Sequence, residues 1–413
     1  MPTTPHPADT ARPAFPALDR HLRRMAHDGS GHFLLSGLVL ELAGPPPTID
    51  ELRAHVRERL PLLPTPSDAP VERHVRELRV TPGPHAAAAA HDELVNRPLA
   101  CPEEPWDVWL VHGFGTDRHL LCYRAHHALH DGLTVARISR LLFGTAPATP
   151  AAPRPPAPRP PFGARVAGLT RVTRDAAQLL RPAPRRPLLD LPRKNERLLA
   201  STTVPVGRLR SAAGRLGCSV LDVHLAALSR AAERFDPTGW TGEGRRARGF
   251  GLPVALGQDT GRPYVGNRFT IALVPVPWRE PDLARRAQLI ARHTARLKPR
   301  STRWAHEVTL GRLGPRGVSA LSDRVFARAG LQTTVVTAAA DLGYEGREPL
   351  RVTPISCLPA HLPCLPALVV WRSQATCAFT ADAAFPEARE LAEHWRAALD
   401  ELAPVPAQRD QDR

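Results

Sequence analysis

The residues best suited to proton transfer lie together in the stretch His126-His127-Ala128-Leu129-His130-Asp131-Gly132. A neutral imidazole, with its ordinary pKa near about 6.5, can take a proton from an alcohol or amine while that group attacks an acyl carbonyl. Zinc is the first competitor for paired histidines. Adjacent residues of a strand point to opposite faces, however, and neither an HExxH helix nor a cysteine pair stands nearby, so no metal site is expected. The same alternation lets only one of His126 and His127 face an open channel. Asp131 either touches the base or braces the loop by pairing with an arginine, and both remain open at this level. Gly132 permits a tight bend or an unusual φ. His130 reads as a turn-surface or packing residue.

The motif needs a strand before it and a helix after it. Residues 107–114 and 119–127 are two apolar-rich segments separated by Gly115 to Arg118, the pattern of an antiparallel hairpin. After His127 the spacing in "LTVARISRLLF" predicts an amphipathic helix. Upstream, residues 31–42 read as a strand. Residues 48–60 read as a helix with Thr48 or Asp50 as N-cap, and "HAAAAAHDELVNRPL" as a second helix.

From about Thr145 to Arg193 the chain is too proline-rich for regular packing, although 162–181 could form a basic amphipathic helix. Beyond it, strands are expected at 198–206, 249–256, 269–277, 331–340, 366–373 and 376–382. Residues 207–217 read as a helix ended by Gly217, and a helix over 219–235 has Ser219 as N-cap and Asp222 three residues on, a capping box with Asp in place of Glu. Further helices are expected from Asp282 to about Arg296 and from Glu387 to about Leu402. Helices and strands alternate irregularly, which favours an α+β architecture over a doubly wound sheet. The expected organisation is a first subdomain over 1–144, a Pro/Arg-rich linker over 145–193 and a second subdomain over 194–413.

Composition narrows the function classes. The chain carries 55 Lys and Arg against 40 Asp and Glu, a formal charge of +15, with 46 prolines among 413 residues. Only Lys194 and Lys298 are lysines, so the excess is arginine. Residues 151–200 hold eleven basic against three acidic residues, which accounts for +8 of the +15. Aromatics are 5% and a single one, Phe162, falls within that run, too few for a stacking platform, so nucleic-acid binding is not expected. The six cysteines, 101, 122, 218, 357, 364 and 377, have no small-domain or zinc spacing and read as structural thiols of a reducing compartment. The N-terminus lacks a secretory pattern and no apolar run is long enough to span a bilayer. The expected location is cytoplasmic, with peripheral contact at the inner membrane face left open through the basic linker helix.

The motif "HHALHDG" matches HHxxxDG, the signature of the superfamily of chloramphenicol acetyltransferase-like folds and peptide-synthetase condensation domains. Within it the chain resembles the bacterial wax ester synthase/diacylglycerol acyltransferase family. The opening "ALDRHLRRM" with "HFLLSGLVLEL", the approach "NRPLACPEEPWDVWLVHGF", the helix "LGCSVLDVHLAALSRA" and the strand "VGNRFTIALVPVP" look like that family's segments in order. Two departures stand out. Leu221-Asp222 replaces the family's Asn-Asp, and "TTVVTAAADLGYEG" lacks the proline and asparagine of its "SNVPGP" segment.

The resemblance implies two chloramphenicol acetyltransferase-like subdomains with a tunnel between them. It implies an O-acyltransferase moving a fatty acyl group from acyl-CoA, as co-substrate, to a long-chain alcohol or diacylglycerol. Carried over by position, His127 is the general base, His126 and Asp131 hold the loop, and Gly132 allows the turn. Transfer would be direct, without an acyl-enzyme, and no permanently bound cofactor is implied. A backbone N–H or Asn267 would serve the oxyanion, and Asp222 is a weaker candidate for the substrate site. Two alternatives stand beside this reading. One is a condensation-type enzyme acylating a specialised-metabolite alcohol or amine from CoA or a carrier protein, and the other is a catalytically inactive binding module. Possible lipid-droplet contact belongs to the same set of expectations, and the oligomeric state is not read from the sequence.

Overall fold

The computed structural model describes residues 16–25, 34–63, 69–99, 106–115, 117–146, 158–179, 194, 196–235, 249–256, 266–359 and 362–403. Cys101, residues 257–265 and most of the proline-rich stretch lie outside these residues.

The first part of the chain forms α1 (Pro16–Met25), β1 (Leu35–Ala43), α2 (Ile49–Arg59), α3 (Val71–His74), β2 (Val75–Arg79), α4 (Ala86–Asn96), β3 (Trp106–His112), β4 (Arg118–His126) and α5 (Gly132–Phe143). Next come α6 (Phe162–Gln178), β5 (Arg197–Pro205), α7 (Val206–Leu216), α8 (Val220–Phe235), β6 (Gly249–Ala255), β7 (Phe269–Pro275) and α9 (Leu283–Thr294). The last part holds α10 (Arg300–Arg312), α11 (Pro315–Arg328), β8 (Ala329–Gln332), β9 (Thr334–Thr337), β10 (Pro349–Ile355), β11 (Cys364–Trp371), β12 (Gln374–Asp382) and α12 (Leu391–Leu402).

Local chemistry explains the boundaries that the sequence marked. Thr48 caps α2 and completes a capping box with Glu51, whose carboxylate accepts the Thr48 N–H at 2.7 Å. Ser219 and Asp222 form the expected box at α8, the carboxylate accepting the Ser219 N–H at 2.8 Å. Gly217 ends α7 in the left-handed conformation, φ 63°. The hairpin is β3 and β4, antiparallel with Trp109 opposite Cys122.

Among the described residues three sheets result. The first has the order β10-β1-β4-β3-β2, the second β5-β12-β11-β9 and the third β7-β6-β8. The expected α+β class, mixed sheets with helices packed on them, is therefore observed. β10, far along the chain, hydrogen-bonds to β1 and so inserts a late strand into the early sheet. One core gathers α8, α9 and α12 around Trp395, Leu225 and Phe379, and another packs α2 and α5 against the first sheet through Leu52, Leu121 and Ile138.

One expected strand is corrected. Residues 331–340 do not form a single strand: the ladder breaks at Thr333, with β8 parallel to β6 and β9 parallel to β11. The Thr333 N–H reaches back to the Gly251 carbonyl at 3.1 Å, so the chain changes sheets at that residue. The two sheets diverge from it. Helices α10 and α11 and strand β10 were not expected, because none shows a clean period in the sequence.

Candidate active site

β4 ends at His126, and His127 already belongs to the turn. The opposition of the two histidines is thus not strand alternation, as the sequence reading had it, but the turn of the backbone at the strand end. His126 folds back over the loop, its Nδ1 accepting the Ala128 N–H at 3.1 Å, while its carbonyl accepts from Leu129 at 2.8 Å. His127 is anchored by its N–H to the Leu34 carbonyl at 2.6 Å and meets the Phe269 ring edge-on, 5.7 Å between centroids.

Asp131 is the N-cap of α5 and braces the loop. Its Oδ1 accepts from the Thr134 N–H and hydroxyl, both at 2.9 Å, and its Oδ2 accepts the Arg268 N–H at 3.2 Å. The brace is thus built on backbone and hydroxyl donors, and it ties the loop to the segment before β7. Gly132 needs no unusual φ: it starts α5 with an ordinary conformation, and a Cβ there would meet Val336 Cγ2 at 3.5 Å, a normal contact. What its lack of a side chain leaves is room, because Gly132 faces the cavity.

His130 is a buried packing residue, its Nδ1 bonded to the Tyr123 hydroxyl at 2.8 Å, and burial lowers its pKa to about 3. It stays neutral at physiological pH.

Asn267 does not face the substrate space. Its Nδ2 donates to Asp19 Oδ1 at 2.9 Å and to the His127 carbonyl at 2.7 Å, which uses both amide hydrogens. Asn267 therefore holds the carbonyl of His127 and is not free to serve an oxyanion. Asp19, on α1, also accepts the Asn267 N–H at 2.9 Å. Gly266, at φ 86°, passes so close that a Cβ would lie 2.3 Å from Asp19 Oδ2. Burial raises the Asp19 pKa, opposed by its hydrogen bonds with Asn267. Asp19 carried no sequence signal beyond its place in "ALDRHLRRM". Asp222 is also corrected as a substrate candidate. It is buried on α8, where its carboxylate accepts from Ser219 and from the Thr294 hydroxyl at 2.6 Å, and it is not among the cavity residues.

The loop opens on a cavity of about 350 Å³, within the range of small-molecule sites. Its walls come from β1, from α5 and from the point where β8 and β9 part, with Leu18, Leu38, Val135, Ile271, Val325 and Leu368 among the apolar lining. The titratable side chains lining it are His21, His127, Asp131 and Cys357. Asp131 is committed to its caps. His21 bonds the Ser319 hydroxyl through Nδ1 at 2.9 Å, and burial lowers its pKa.

Cys357 was read as a structural thiol together with Cys364, and the two part company here. Cys364 is buried in β11 with its pKa pushed far up by burial. Cys357 follows β10 and, like His127, lines the cavity. Burial pulls the His127 pKa down; the charge and hydrogen bond of Cys357, the residue's own carbonyl and the Asp131 charge outweigh it, and the pKa rises to about 9. Among the described residues no group of His, Cys, Asp and Glu could hold a metal ion, and no helix is long and apolar enough to cross a membrane.

Residues 61–181, which include the loop, match the family described as wax ester synthase/diacylglycerol acyltransferase catalytic domain, in line with the sequence resemblance. No curated protein matches the chain in sequence. The wax ester synthase/diacylglycerol acyltransferase from Marinobacter aquaeolei VT8 shares the fold at TM-score 0.59 and 16% identity, over 89% of this chain and 94% of that one. The first condensation domain of the calcium-dependent antibiotic synthetase, in complex with a substrate analogue, does so at 0.61 and 18%, over 96% and 98%. The starter condensation domain of rhizomide synthetase, in complex with C8-CoA, does so at 0.62 and 15%, over 96% and 95%. The fold is thus the two-subdomain chloramphenicol acetyltransferase-like one.

Proposed function

We infer that this chain is an O-acyltransferase that takes a fatty acyl group from acyl-CoA and delivers it to a long-chain alcohol or diacylglycerol, with His127 as the general base. The observation that carries the reading is the meeting of His127 with an apolar cavity at the HHxxxDG loop. An acyl carbonyl in that cavity would be attacked by the acceptor oxygen as His127 removes the hydroxyl proton, and His127 would then return it to the departing thiolate. A positioned base of this kind is worth about 10²–10⁴ in rate. His126, Asp131 and Asn267 act through the loop: they hold the backbone on either side of His127. A backbone N–H at the start of α5, where Gly132 and Leu133 face the cavity, is the donor for the oxyanion.

Condensation domains of the same fold make an amine acceptor from a specialised metabolite the second reading. CoA release from acetyl-, octanoyl- and palmitoyl-CoA, with hexadecanol, diacylglycerol or an amine, separates the two. Turnover with palmitoyl-CoA and a lipid alcohol, lost in His127→Ala, is the expected result. Turnover with the amine alone would favour the second reading, and release with no donor from folded protein would overturn both.

A lipid substrate also asks for a route from a bilayer. α6 presents Phe162, Val166 and Leu169, 73%, 47% and 39% exposed, at helical spacing beside Arg165, Arg171 and Arg174. Apolar insertion with arginines at anionic headgroups fits peripheral binding. Cosedimentation with anionic vesicles, weakened in Phe162→Asp, is the expected outcome; equal sedimentation of both proteins would count against it.

A further inference from the structure

The cavity wall carries one amide that the fold does not use. Gln332, the last residue of β8, is 8% exposed and lines the cavity, and its Nε2 has no hydrogen-bond partner among the described residues. It stands opposite Gly251 of β6, and a Cβ on that glycine would come within 2.8 Å of the Gln332 Cγ. The side chain therefore lies over β6 at Gly251, where the missing Cβ makes room for it. A methionine would fill similar space with no hydrogen bond to satisfy. A buried amide N–H without an acceptor disfavours a state by about fivefold to 100-fold, and a substrate oxygen would relieve it.

The strand registers set this amide apart from the reacting loop. Residues two apart on a strand share a face, so Gly251, Pro253 and Ala255 stand on one face of β6, and Phe269 and Ile271 on one face of β7. Pro253, Ala255, Phe269 and Ile271 all line the cavity, which makes this face part of its wall. Ala255 is opposite Phe269, the ring that meets His127, and Gly251 is opposite Gln332. Four residues of strand, about 13 Å, separate the two positions. Between them stand Pro253 and Ile271, opposite each other and apolar. An alkyl stretch fits against these two side chains and reaches a polar group at its far end.

We propose that Gln332 is a specificity-determining residue, whose Nε2 donates to a carbonyl or hydroxyl oxygen carried within the body of a substrate chain. An extended chain covers about 3.5 Å per three bonds, so the oxygen lies roughly ten bonds from the reacting group. The substrate class is a mid-chain oxygenated fatty alcohol or fatty acyl-CoA. Plain alkyl chains lack that oxygen, and the ester oxygens of a diacylglycerol sit beside its reacting hydroxyl. The proposal rests on the acyltransferase reading and narrows it.

Selectivity then comes from the unpaired state. A plain hexadecyl chain covers the amide with methylene groups and leaves its N–H without an acceptor, whereas a chain with an oxygen at that depth pairs it. A site built to hydrogen-bond its substrate rejects the analogue lacking the polar group far more strongly than an apolar pocket rejects a missing methylene.

The test uses the full chain and reads kcat/KM from CoA release. One arm sets hexadecanol against 10-oxohexadecanol with palmitoyl-CoA as donor, and the other sets palmitoyl-CoA against 10-oxopalmitoyl-CoA with hexadecanol as acceptor. The 3-oxo compound is the positional control in each arm. The expected result is a gain of about tenfold for the 10-oxo chain in at least one arm, which tells whether acceptor or donor reaches the amide. The 3-oxo chain should show no such gain, and in Gln332→Met the 10-oxo ratio should fall to about one. Gln332→Met should also melt at the temperature of the parent chain or higher, because an apolar side chain replaces a buried amide without a partner. No gain in either arm, or a gain that Gln332→Met retains, would overturn the proposal and leave the acyltransferase reading standing. So would an equal fall for every substrate pair in Gln332→Met, which would put the amide on the thioester or the CoA arm common to all of them. A clearly lower melting temperature would show that the fold itself uses the amide, and would overturn it as well. No CoA release with any pair, from protein with a native circular dichroism spectrum, would overturn both readings.

Discussion

Asn267 donates its side-chain amide to the backbone carbonyl of His127 at 2.7 Å, so a residue of the second half of the chain holds the peptide that carries the proposed base. The same amide reaches Asp19 on α1, and the next residue, Arg268, gives its N–H to Asp131. Three distant segments thus share one brace. His127 is positioned by tertiary contacts that leave it lining the cavity.

Loosening that brace should affect rate more than binding. Asn267→Ala removes the support of the His127 carbonyl and leaves Asp19 with one acceptor site unfilled. We expect kcat to fall about tenfold to 100-fold with KM little changed, since a small misplacement of a catalytic group has this effect. Steady-state kinetics, with circular dichroism to show that the fold persists, checks it. An equal rise in KM would point to a disturbed cavity instead.

Gly266→Ala should be more severe than its size suggests. It forces a side chain onto a backbone at φ 86° and into the Asp19 carboxylate. A loss of about 1–3 kcal/mol is expected from the backbone strain, with more from the clash. Chemical denaturation measures it.

His127 offers a titration test with a definite sign. Its folded pKa, about 9, lies above the ordinary 6.5 of the unfolded chain. The proton therefore contributes stability that is fully present below 6.5 and is lost as pH rises through about 9. In Cys357→Ala burial is left without its main opponent, and the pKa should drop. Imidazole chemical shifts followed from acid to alkaline pH should show the lower midpoint in the variant, and an unchanged midpoint would remove Cys357 as the cause.

Arg124 predicts a stability effect remote from the chemistry. Its guanidinium and the Asp107 carboxylate are both fully buried and paired at 2.6 Å, with further donation to the carbonyls of Leu94 and Arg97. Arg124→Met leaves Asp107 charged and unpartnered in the core. A loss of about 3–5 kcal/mol is expected in urea unfolding, and the double variant Arg124→Met with Asp107→Leu should recover much of it.

The cavity wall predicts a change in acyl length. Ala136 lines it from α5. Ala136→Phe should fill the space and shift preference from palmitoyl- to acetyl- or octanoyl-CoA, read as the ratio of kcat/KM values. An unchanged ratio would place the acyl chain elsewhere.

Much of the local structure was legible in the residues. The capping pairs Thr48 with Glu51 and Ser219 with Asp222, the stop at Gly217, the hairpin of β3 and β4, and the loop between β4 and α5 all follow from short-range rules. Those rules depend on neighbours within one turn or one pleat, and a sequence displays such neighbours directly. The motif likewise marked where the chemistry should lie. The tertiary structure alone decided what each polar residue of the site does. Asn267 and Asp222 have side chains fit for a substrate site, but the Asn267 amide hydrogens go to Asp19 and the His127 carbonyl, and the Asp222 carboxylate accepts from Ser219 and Thr294. Cys357 had no signal in its spacing, because it reaches the cavity only through the registers that set β4 and β10 on either side of β1. The break at Thr333 was hidden for the same reason: β8 and β9 are equally good strand sequences, and what separates them is that their hydrogen-bonding partners, β6 and β11, stand in different sheets.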